Sequence, residues 1–204
     1  MLQPVARLLI TLEDLTPPIW RRVDVPLSNS LMALHRVIQT VMLWEDRHLF
    51  EFQIGDKLYG VPTSDTATYG RKVYQAKALR LATLVDRGID IFRYVYDFGD
   101  DWSLQIIIEM VFDGDPATNC PCFVDGKRRA PPEDVGGPPG FMEFTQAIRT
   151  RSHPEHKQML RWHGGPFDPE DIAIASITDG LRRLADRRRE GQERIKTARQ
   201  ASPT

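Results

Sequence analysis

Two apolar, β-branched segments with a short acidic turn between them constrain the fold of this chain most. Residues 89–95 and 104–108 are rich in isoleucine and in aromatic or β-branched side chains, which favour extended strands. The sequence YDFGDDW, residues 96–102, joins them and contains three aspartates, which are poor strand formers. Gly99 can supply the positive φ of a tight turn. The pattern predicts an antiparallel hairpin, and therefore a sheet.

Strand patterns precede helical patterns along the rest of the chain. We expect strands at 8–12 and 19–25, a strand pair or one long bent strand at 48–59, and a helix from residue 31 to about 43 or 44. A short helix at 79–87 and three helices after residue 140 complete the pattern. This order predicts an α+β single domain, with a largely antiparallel sheet, helices packed on one face and a helical C-terminal half.

Two segments lack periodicity and are predicted to be irregular. Residues 60–78 contain glycine, proline, threonine, serine and aspartate without a repeat. Residues 113–140 are rich in proline, glycine and charge. Because a long ordered loop in a compact domain is often functional, the second segment is a candidate part of a binding site.

The net charge of -1 conceals a basic C-terminus. Residues 182–199 contain eight basic and three acidic residues, so they carry +5 and the remainder carries -6. We therefore divide the chain into a domain at 1–185 and a basic tail at 186–204. Nucleic-acid phosphates are possible partners of the tail, and the alternative is a solvated terminal helix. The candidate arginines are Arg182, Arg183, Arg187, Arg188 and Arg189.

The cellular compartment is predicted from what the sequence lacks. No apolar run approaches the ~18 residues that span a bilayer, and the N-terminus has no signal-peptide pattern. We therefore expect a cytoplasmic protein with no membrane partner. Cys120 and Cys122 are too close for an ordinary unstrained disulfide and too few for a structural zinc site.

Five carboxylates are candidates for a binding site, three in the acidic turn and two in the irregular segment 113–140. If that segment folds over the turn, they form an oxygen-rich cluster that suits Mg²⁺, Mn²⁺ or Ca²⁺. Alternatively, the aspartates stabilise the turn, or the acidic residues form ion pairs with Arg21, Arg22 or Arg128. The five residues are Asp97, Asp100, Asp101, Glu133 and Asp134.

Histidine and aromatic residues accompany these carboxylates. His48 follows the first predicted helix and is the candidate for proton transfer or metal binding, because imidazole exists in both protonation states near pH 7. The alternative is a capping or strand-entry residue. Trp44, Tyr96 and Trp102 flank the acidic residues, as aromatic side chains do at interaction surfaces, and are candidate binding residues. His35 lies beside the apolar face of its helix and is expected in the core.

Six short motifs occur in a fixed order, at residues 17–22, 34–39, 44–52, 96–102, 131–137 and 153–156. Together they resemble the plasmid ORF-three-like family, whose members are also labelled insertion-element passenger proteins of the TnpR type. The resemblance spans about residues 5–185 and implies a single α+β domain from bacteria or archaea, without an established activity. Relatives often have cysteines where this chain has Ala130 and Val135, so a thiolate metal site is incomplete here.

One functional hypothesis leads and two alternatives remain open. The leading hypothesis is a non-catalytic binding or accessory protein, loosely associated with plasmids or mobile elements, whose acidic and aromatic face binds a basic or cationic partner. The first alternative is a divalent-metal-dependent enzyme of hydrolase type, in which the five carboxylates hold the metal and His48 acts as general base. The second is nucleic-acid binding through the basic tail.

Overall fold

One sheet of eight strands forms the centre of the computed structural model, which describes residues 3–62, 72–115 and 120–201. The strands are β1 (Gln3–Leu12), β2 (Ile19–Pro26), β3 (Phe50–Ile54), β4 (Lys57–Gly60), β5 (Val73–Gln75), β6 (Ile91–Tyr96), β7 (Trp102–Gly114) and β8 (Cys122–Lys127). Their order across the sheet is β5-β4-β3-β6-β7-β1-β2-β8. Neighbouring strands are antiparallel except β4 and β5, which are parallel.

Five α-helices occur in the described ranges. They are α1 (Leu31–Met42), α2 (Leu81–Asp86), α3 (Gly137–Arg149), α4 (His156–His163) and α5 (Ile174–Ala201). None of them contains a segment long and apolar enough to cross a membrane. A largely antiparallel sheet combined with a helical C-terminal half confirms the predicted single α+β domain.

The two faces of the sheet differ in chemistry. Alternate residues of β1, such as Leu8 and Ile10, are buried in the core that also contains the apolar faces of the helices. The opposite face carries ion pairs between neighbouring strands, including Arg7–Asp24 at 2.8 Å. The period-2 pattern of the strands therefore produces one face that helices cover and one that is polar.

Helix α1 leads the chain to the acidic turn. Its apolar residues at helical spacing are buried, and the Ser30 hydroxyl caps its first turn by accepting a hydrogen bond from the N–H of Ala33 at 3.3 Å. The helix ends where Leu43 adopts a left-handed conformation with φ of 59°. This reversal directs residues 44–48 towards the end of the sheet where β6 ends and β7 begins.

Parts of both predicted loops are regular. In the segment 113–140, Cys122–Lys127 forms β8 and α3 begins already at Gly137. In the segment 60–78, Val73–Gln75 forms β5 and a 3₁₀ turn follows. Local composition did not indicate these strands, because both form on the hydrogen-bonding edge of a distant strand, β2 or β4. Residues 63–71 and 116–119 of these loops, and 202–204 of the tail, lie outside the described residues.

Candidate metal centre

The acidic turn joins β6 and β7, where Tyr96 pairs with Trp102 as the hairpin prediction requires. The left-handed residues of the turn are Asp97 and Asp101, with φ of 56° and 54°, and not Gly99. Aspartate tolerates this conformation because its side chain bonds to nearby backbone. Asp97 does so through Oδ1, which accepts the N–H of Gly99 at 3.0 Å.

The other carboxylate oxygen of Asp97 belongs to a group centred on His48. Nε2 of His48 lies 3.5 Å from Oδ2 of Asp97, 3.0 Å from Oδ1 of Asp134 and 3.7 Å from Oε2 of Glu133. This nitrogen is buried, yet within the described part of the chain it has no hydrogen-bond partner. Three segments distant in sequence thus bring one imidazole and three carboxylates together.

The spacing of these atoms matches a set of metal ligands. One ligand atom each from His48, Asp97 and Asp134 lies within 4.8 Å of the other two. Nitrogen and oxygen ligands about 2.0–2.2 Å from a metal are roughly 3.0–3.5 Å apart at tetrahedral or octahedral angles. The two aspartate distances from His48 lie in that range. These three side chains can therefore hold one cation.

Glu133 positions the group as well as contributing charge. Its Oε1 accepts hydrogen bonds from the Tyr96 hydroxyl at 2.9 Å and from the Glu45 N–H at 2.7 Å. Burial, together with the carboxylate of Glu133, raises the pKa of Tyr96 above its usual value, so the phenol remains protonated and donates. The Tyr96 oxygen in turn accepts the N–H of Arg47 at 3.0 Å.

Asp100 and Asp101 lie outside the group, so the predicted cluster of five carboxylates is wrong for these two residues. Oδ2 of Asp100 accepts the N–H of Gly136 at 3.1 Å, which attaches the turn to the loop before α3. Asp101 is exposed, and its backbone N–H donates to the carbonyl of Asp97. Of the three aspartates in the described turn, only Asp97 accepts a turn amide through its carboxylate, as the alternative role in stabilising the turn supposed.

The three candidate arginines do not neutralise the carboxylates, so that alternative is wrong. Arg21 is buried and donates to backbone carbonyls. Arg22 pairs with Glu109, and Arg128 lies 3.6 Å from Glu170. In the described ranges, no lysine or arginine forms an ion pair with the carboxylates around His48.

The flanking aromatic residues form part of the core, and the expectation of an exposed acidic and aromatic face is wrong for these rings. Trp44, Tyr96 and Trp102 are at most 6% exposed. Trp44 stacks on Tyr96 with ring centroids 4.9 Å apart, and its indole N–H donates to the carbonyl of Pro131 at 3.0 Å. The rings therefore hold the three segments together.

A cleft of about 380 Å³ lies beside the group, with Glu133 and Asp134 in its wall. Arg47, Arg129 and Trp162 also line it and were not expected at the site. They come from three separate segments, of which only the one with Arg47 lies in a motif noted in the sequence, so the tertiary fold brings them together at the cleft. A molecule bound there would adjoin the carboxylates.

The candidate arginines of the tail divide into three environments on α5, which continues without a break through residue 186. Arg182 and Arg189 form ion pairs with aspartates three residues earlier on the same helix. Arg183 is exposed. Arg187 and Arg188 line a second cleft, of about 710 Å³. These two are therefore the arginines that combine with basic residues from other segments.

Comparisons with known proteins agree with the architecture. The sequence model of the family described as "Plasmid pRiA4b ORF-3-like protein" matches residues 4–176. The chain is 38% identical over 165 residues to the uncharacterized protein y4hQ of Sinorhizobium fredii, covering 80% of this chain and 83% of the relative. It is also similar to the crystal structure of a protein of unknown function, MM3350 from Methanosarcina mazei Go1. That likeness has a TM-score of 0.76 and 31% identity over 85% of this chain and 97% of the other. The chain therefore belongs to the plasmid pRiA4b ORF-3-like protein family.

Proposed function

We propose that this protein binds a divalent transition-metal ion through His48, Asp97 and Asp134, with Glu133 as a supporting carboxylate. The observation that carries the proposal is the buried Nε2 of His48, which lacks a hydrogen bond although three carboxylates surround it. Buried polar nitrogens are almost always hydrogen-bonded. A buried imidazole nitrogen that faces carboxylate oxygens without an aligned hydrogen bond is available as a metal ligand.

Charge supports the same conclusion. The carboxylates of Asp97, Glu133 and Asp134 lie around one imidazole, and carboxylates this close repel one another. In the described segments, no arginine or lysine forms an ion pair with them, and Arg47 and Arg129 of the adjacent cleft pair with Glu45 and Asp171 instead. A divalent cation offsets two of the three negative charges and uses the neutral form of His48 as a ligand.

The donor set indicates the class of metal. Imidazole nitrogen suits zinc and other transition metals, whereas carboxylate oxygen suits magnesium, calcium and manganese. One nitrogen with two or three oxygens therefore favours Mn²⁺ or Zn²⁺ over Mg²⁺ or Ca²⁺. The expected partner is therefore a metal ion. The sequence alone had left open any cationic partner, including a basic peptide bound to an aromatic face.

A catalytic use of the metal is a second candidate, favoured by the cleft of about 380 Å³ that Glu133 and Asp134 border. A metal-bound water would act as nucleophile on a bound ester or phosphate. In this proposal His48 is a ligand and cannot also be a general base through Nε2. Manganese-dependent hydrolysis of p-nitrophenyl phosphate or acetate, lost in His48→Gln, would support it, and metal binding without turnover would leave only the binding function.

Isothermal titration with MnCl₂ and ZnCl₂ tests the binding proposal. Asp97→Asn and Asp134→Asn each remove one ligand charge, and Asp101→Asn removes the same charge from the same turn outside the group. We expect one site per chain, affinity reduced at least 10-fold in the first two variants, and no change in the third. At a metal concentration of 100 times Kd, the wild type gains about 2.7 kcal/mol of stability. No binding, or equal binding by all variants, would overturn the proposal.

A further inference from the structure

The cleft of about 710 Å³ lies between the beginning of α1 and the middle of α5 and has a strongly basic wall. Among the described residues, no aspartate or glutamate lines it, and it shares no lining residue with the cleft beside His48. The cleft therefore combines positive charges from three segments distant in sequence. The basic side chains are Arg36, Lys77, Arg80, Arg187 and Arg188.

These five cations have no carboxylate partner in the part of the chain that the structure describes. None of them forms an ion pair with a carboxylate of residues 3–62, 72–115 or 120–201. By contrast, Arg182 and Arg189 on the same helix α5 each pair with an aspartate of that helix. The positive charge of the cleft is thus a local feature and does not extend to all arginines of α5.

Ser28 holds two of the guanidinium groups at the same place. Arg80 donates to the backbone carbonyl of Ser28 at 2.7 Å, and Arg188 donates to its hydroxyl at 2.9 Å. Burial lowers the pKa of Arg188 because the charged guanidinium loses hydration, and the negative charge of a Cys120 thiolate acts in the opposite direction. No carboxylate of the described residues pairs with Arg188. A bound anion would supply the missing counter-charge.

The beginning of α1 adds to the positive field. Ser30 and Ala33, in the cap and first turn of this 12-residue helix, line the cleft. The positive end of the helix dipole therefore lies at the cleft wall, beside Arg36. Helix N-termini with adjacent cations are favourable places for phosphate groups.

We infer that this cleft binds a compact anion carrying two or more phosphate groups. Five cations around a volume of about 710 Å³ match several closely spaced negative charges. Within the described chain, no aromatic side chain lines the cleft, so it lacks the stacking surface on which single-stranded nucleic acids place their bases. The phosphates, and not a base, supply the recognition.

Titration calorimetry with inorganic pyrophosphate tests this inference, in a buffer with EDTA so that the metal centre plays no part. We expect the wild type to bind pyrophosphate at one site. Affinity should fall at least 10-fold in the double variant Arg80→Gln with Arg188→Gln. It should fall equally in a second double variant at two exposed residues, Lys77→Gln with Arg187→Gln. Arg182→Gln removes an arginine of α5 that is already paired, and should bind as the wild type does. Binding should also weaken as salt rises.

Three further samples complete the experiment. Binding of pyrophosphate by His48→Gln with unchanged affinity supports a site separate from the metal centre. ADP that binds no tighter than pyrophosphate supports recognition through the phosphates alone, whereas tighter ADP binding would show that the nucleoside is recognised too and would overturn that part of the inference. No pyrophosphate binding, equal binding by every arginine variant, or binding only of a 20-base-pair DNA duplex would overturn the inference.

Discussion

The phenol of Tyr96 donates a hydrogen bond of 2.9 Å to Oε1 of Glu133, and this bond joins the acidic hairpin to the proline-rich loop. The same Glu133 oxygen accepts the N–H of Glu45, and the Tyr96 oxygen accepts the N–H of Arg47. The segment that follows α1 is therefore fastened to both. Because His48 follows directly, this network fixes the imidazole against the carboxylates.

Tyr96→Phe should therefore weaken metal binding without removing a ligand. The variant leaves the N–H of Arg47 without its acceptor and Glu133 without one donor, which costs about 1–3 kcal/mol of unfolding free energy. Loss of such a supporting hydrogen bond typically lowers metal affinity about 10–100-fold. Urea denaturation and Mn²⁺ titration measure the two effects. Tyr74→Phe, at an exposed tyrosine of β5, is the control and should change neither.

Gly137→Ala should separate the loop from the turn. Gly137 has φ of +67°, and a Cβ there would lie 2.5 Å from the carbonyl oxygen of Asp100. The added methyl group therefore forces apart the contact that the Gly136 N–H makes with the Asp100 carboxylate. We expect a loss of unfolding free energy together with weaker binding of Mn²⁺.

The control for Gly137→Ala separates the clash from the backbone conformation. Gly164 also has positive φ, +82°, but a Cβ there meets nothing within 4 Å. Gly164→Ala should thus cost only the left-handed conformation, about 1–2 kcal/mol. If Gly137→Ala costs no more than Gly164→Ala and leaves the metal affinity unchanged, the close approach at Asp100 is not what holds the loop.

His35 is buried under the site as its position beside the apolar face of α1 predicts, and it makes stability depend on pH. Its ring stacks on Phe50 with centroids 3.6 Å apart, and its nitrogens lie 2.8 Å from the Tyr94 hydroxyl and the Asp46 carboxylate. Burial lowers the pKa of His35 below its usual value; Arg36 acts in the same direction and Asp46 opposes it. The folded protein therefore holds this imidazole neutral.

Lowering the pH should thus destabilise the protein through His35. Below pH of about 6.5 the unfolded chain binds a proton that folded His35 does not, so the unfolding free energy falls, by at most about 1.4 kcal/mol per pH unit. His35→Gln removes this contribution, so its loss of stability between pH 7.5 and 5.5 should be smaller. His153→Gln should behave as the wild type, and parallel curves for all three proteins would contradict the prediction. Urea denaturation at each pH is the measurement.

The hairpin and α1 could be predicted because their signals are local. Alternation in β6 and β7, and apolar spacing in α1, each determine which face is buried. Alternation in β2 likewise places Arg21 on the buried face with Ile19 and Val23. An isolated buried charge is costly, so this position needs a further explanation. The Arg21 guanidinium donates to the carbonyl of the adjacent Trp20 and to those of Val41 and Lys127, which lie in distant segments that no local pattern reveals.

The site itself could be predicted only in part, because its members meet through the tertiary fold. The carboxylates of the turn and the loop were evident in the sequence. That Asp100 accepts a hydrogen bond from Gly136, 36 residues away, was not. The role of Glu133 depends likewise on Tyr96. The basic cleft had even less local signal, since Arg36, Lys77 and Arg80 belong to no charge cluster in the sequence.

Cys120 should be the more acidic thiol of the cysteine pair. Its sulfur lies 3.1 Å from that of Cys122. The hydrogen bond with Cys122, with a further contribution from Arg188, lowers the pKa of Cys120 against the opposing effect of burial, while the same bond raises the pKa of Cys122. Cys122 therefore keeps its proton and donates it to a Cys120 thiolate, the form that reacts with alkylating reagents.

Alkylation by iodoacetamide, followed residue by residue with mass spectrometry across pH, measures this difference. Cys122→Ala removes the donor and should move the reaction of Cys120 to higher pH, whereas Cys122→Ser retains an O–H donor and should shift it less. Arg188→Gln should also raise the midpoint, because it removes a nearby positive charge. Identical profiles for the wild type and Cys122→Ala would show that the thiol of Cys122 does not stabilise the thiolate. If Arg188→Gln shifts the midpoint more than Cys122→Ala does, the positive charge of Arg188 is the main stabiliser of the Cys120 thiolate.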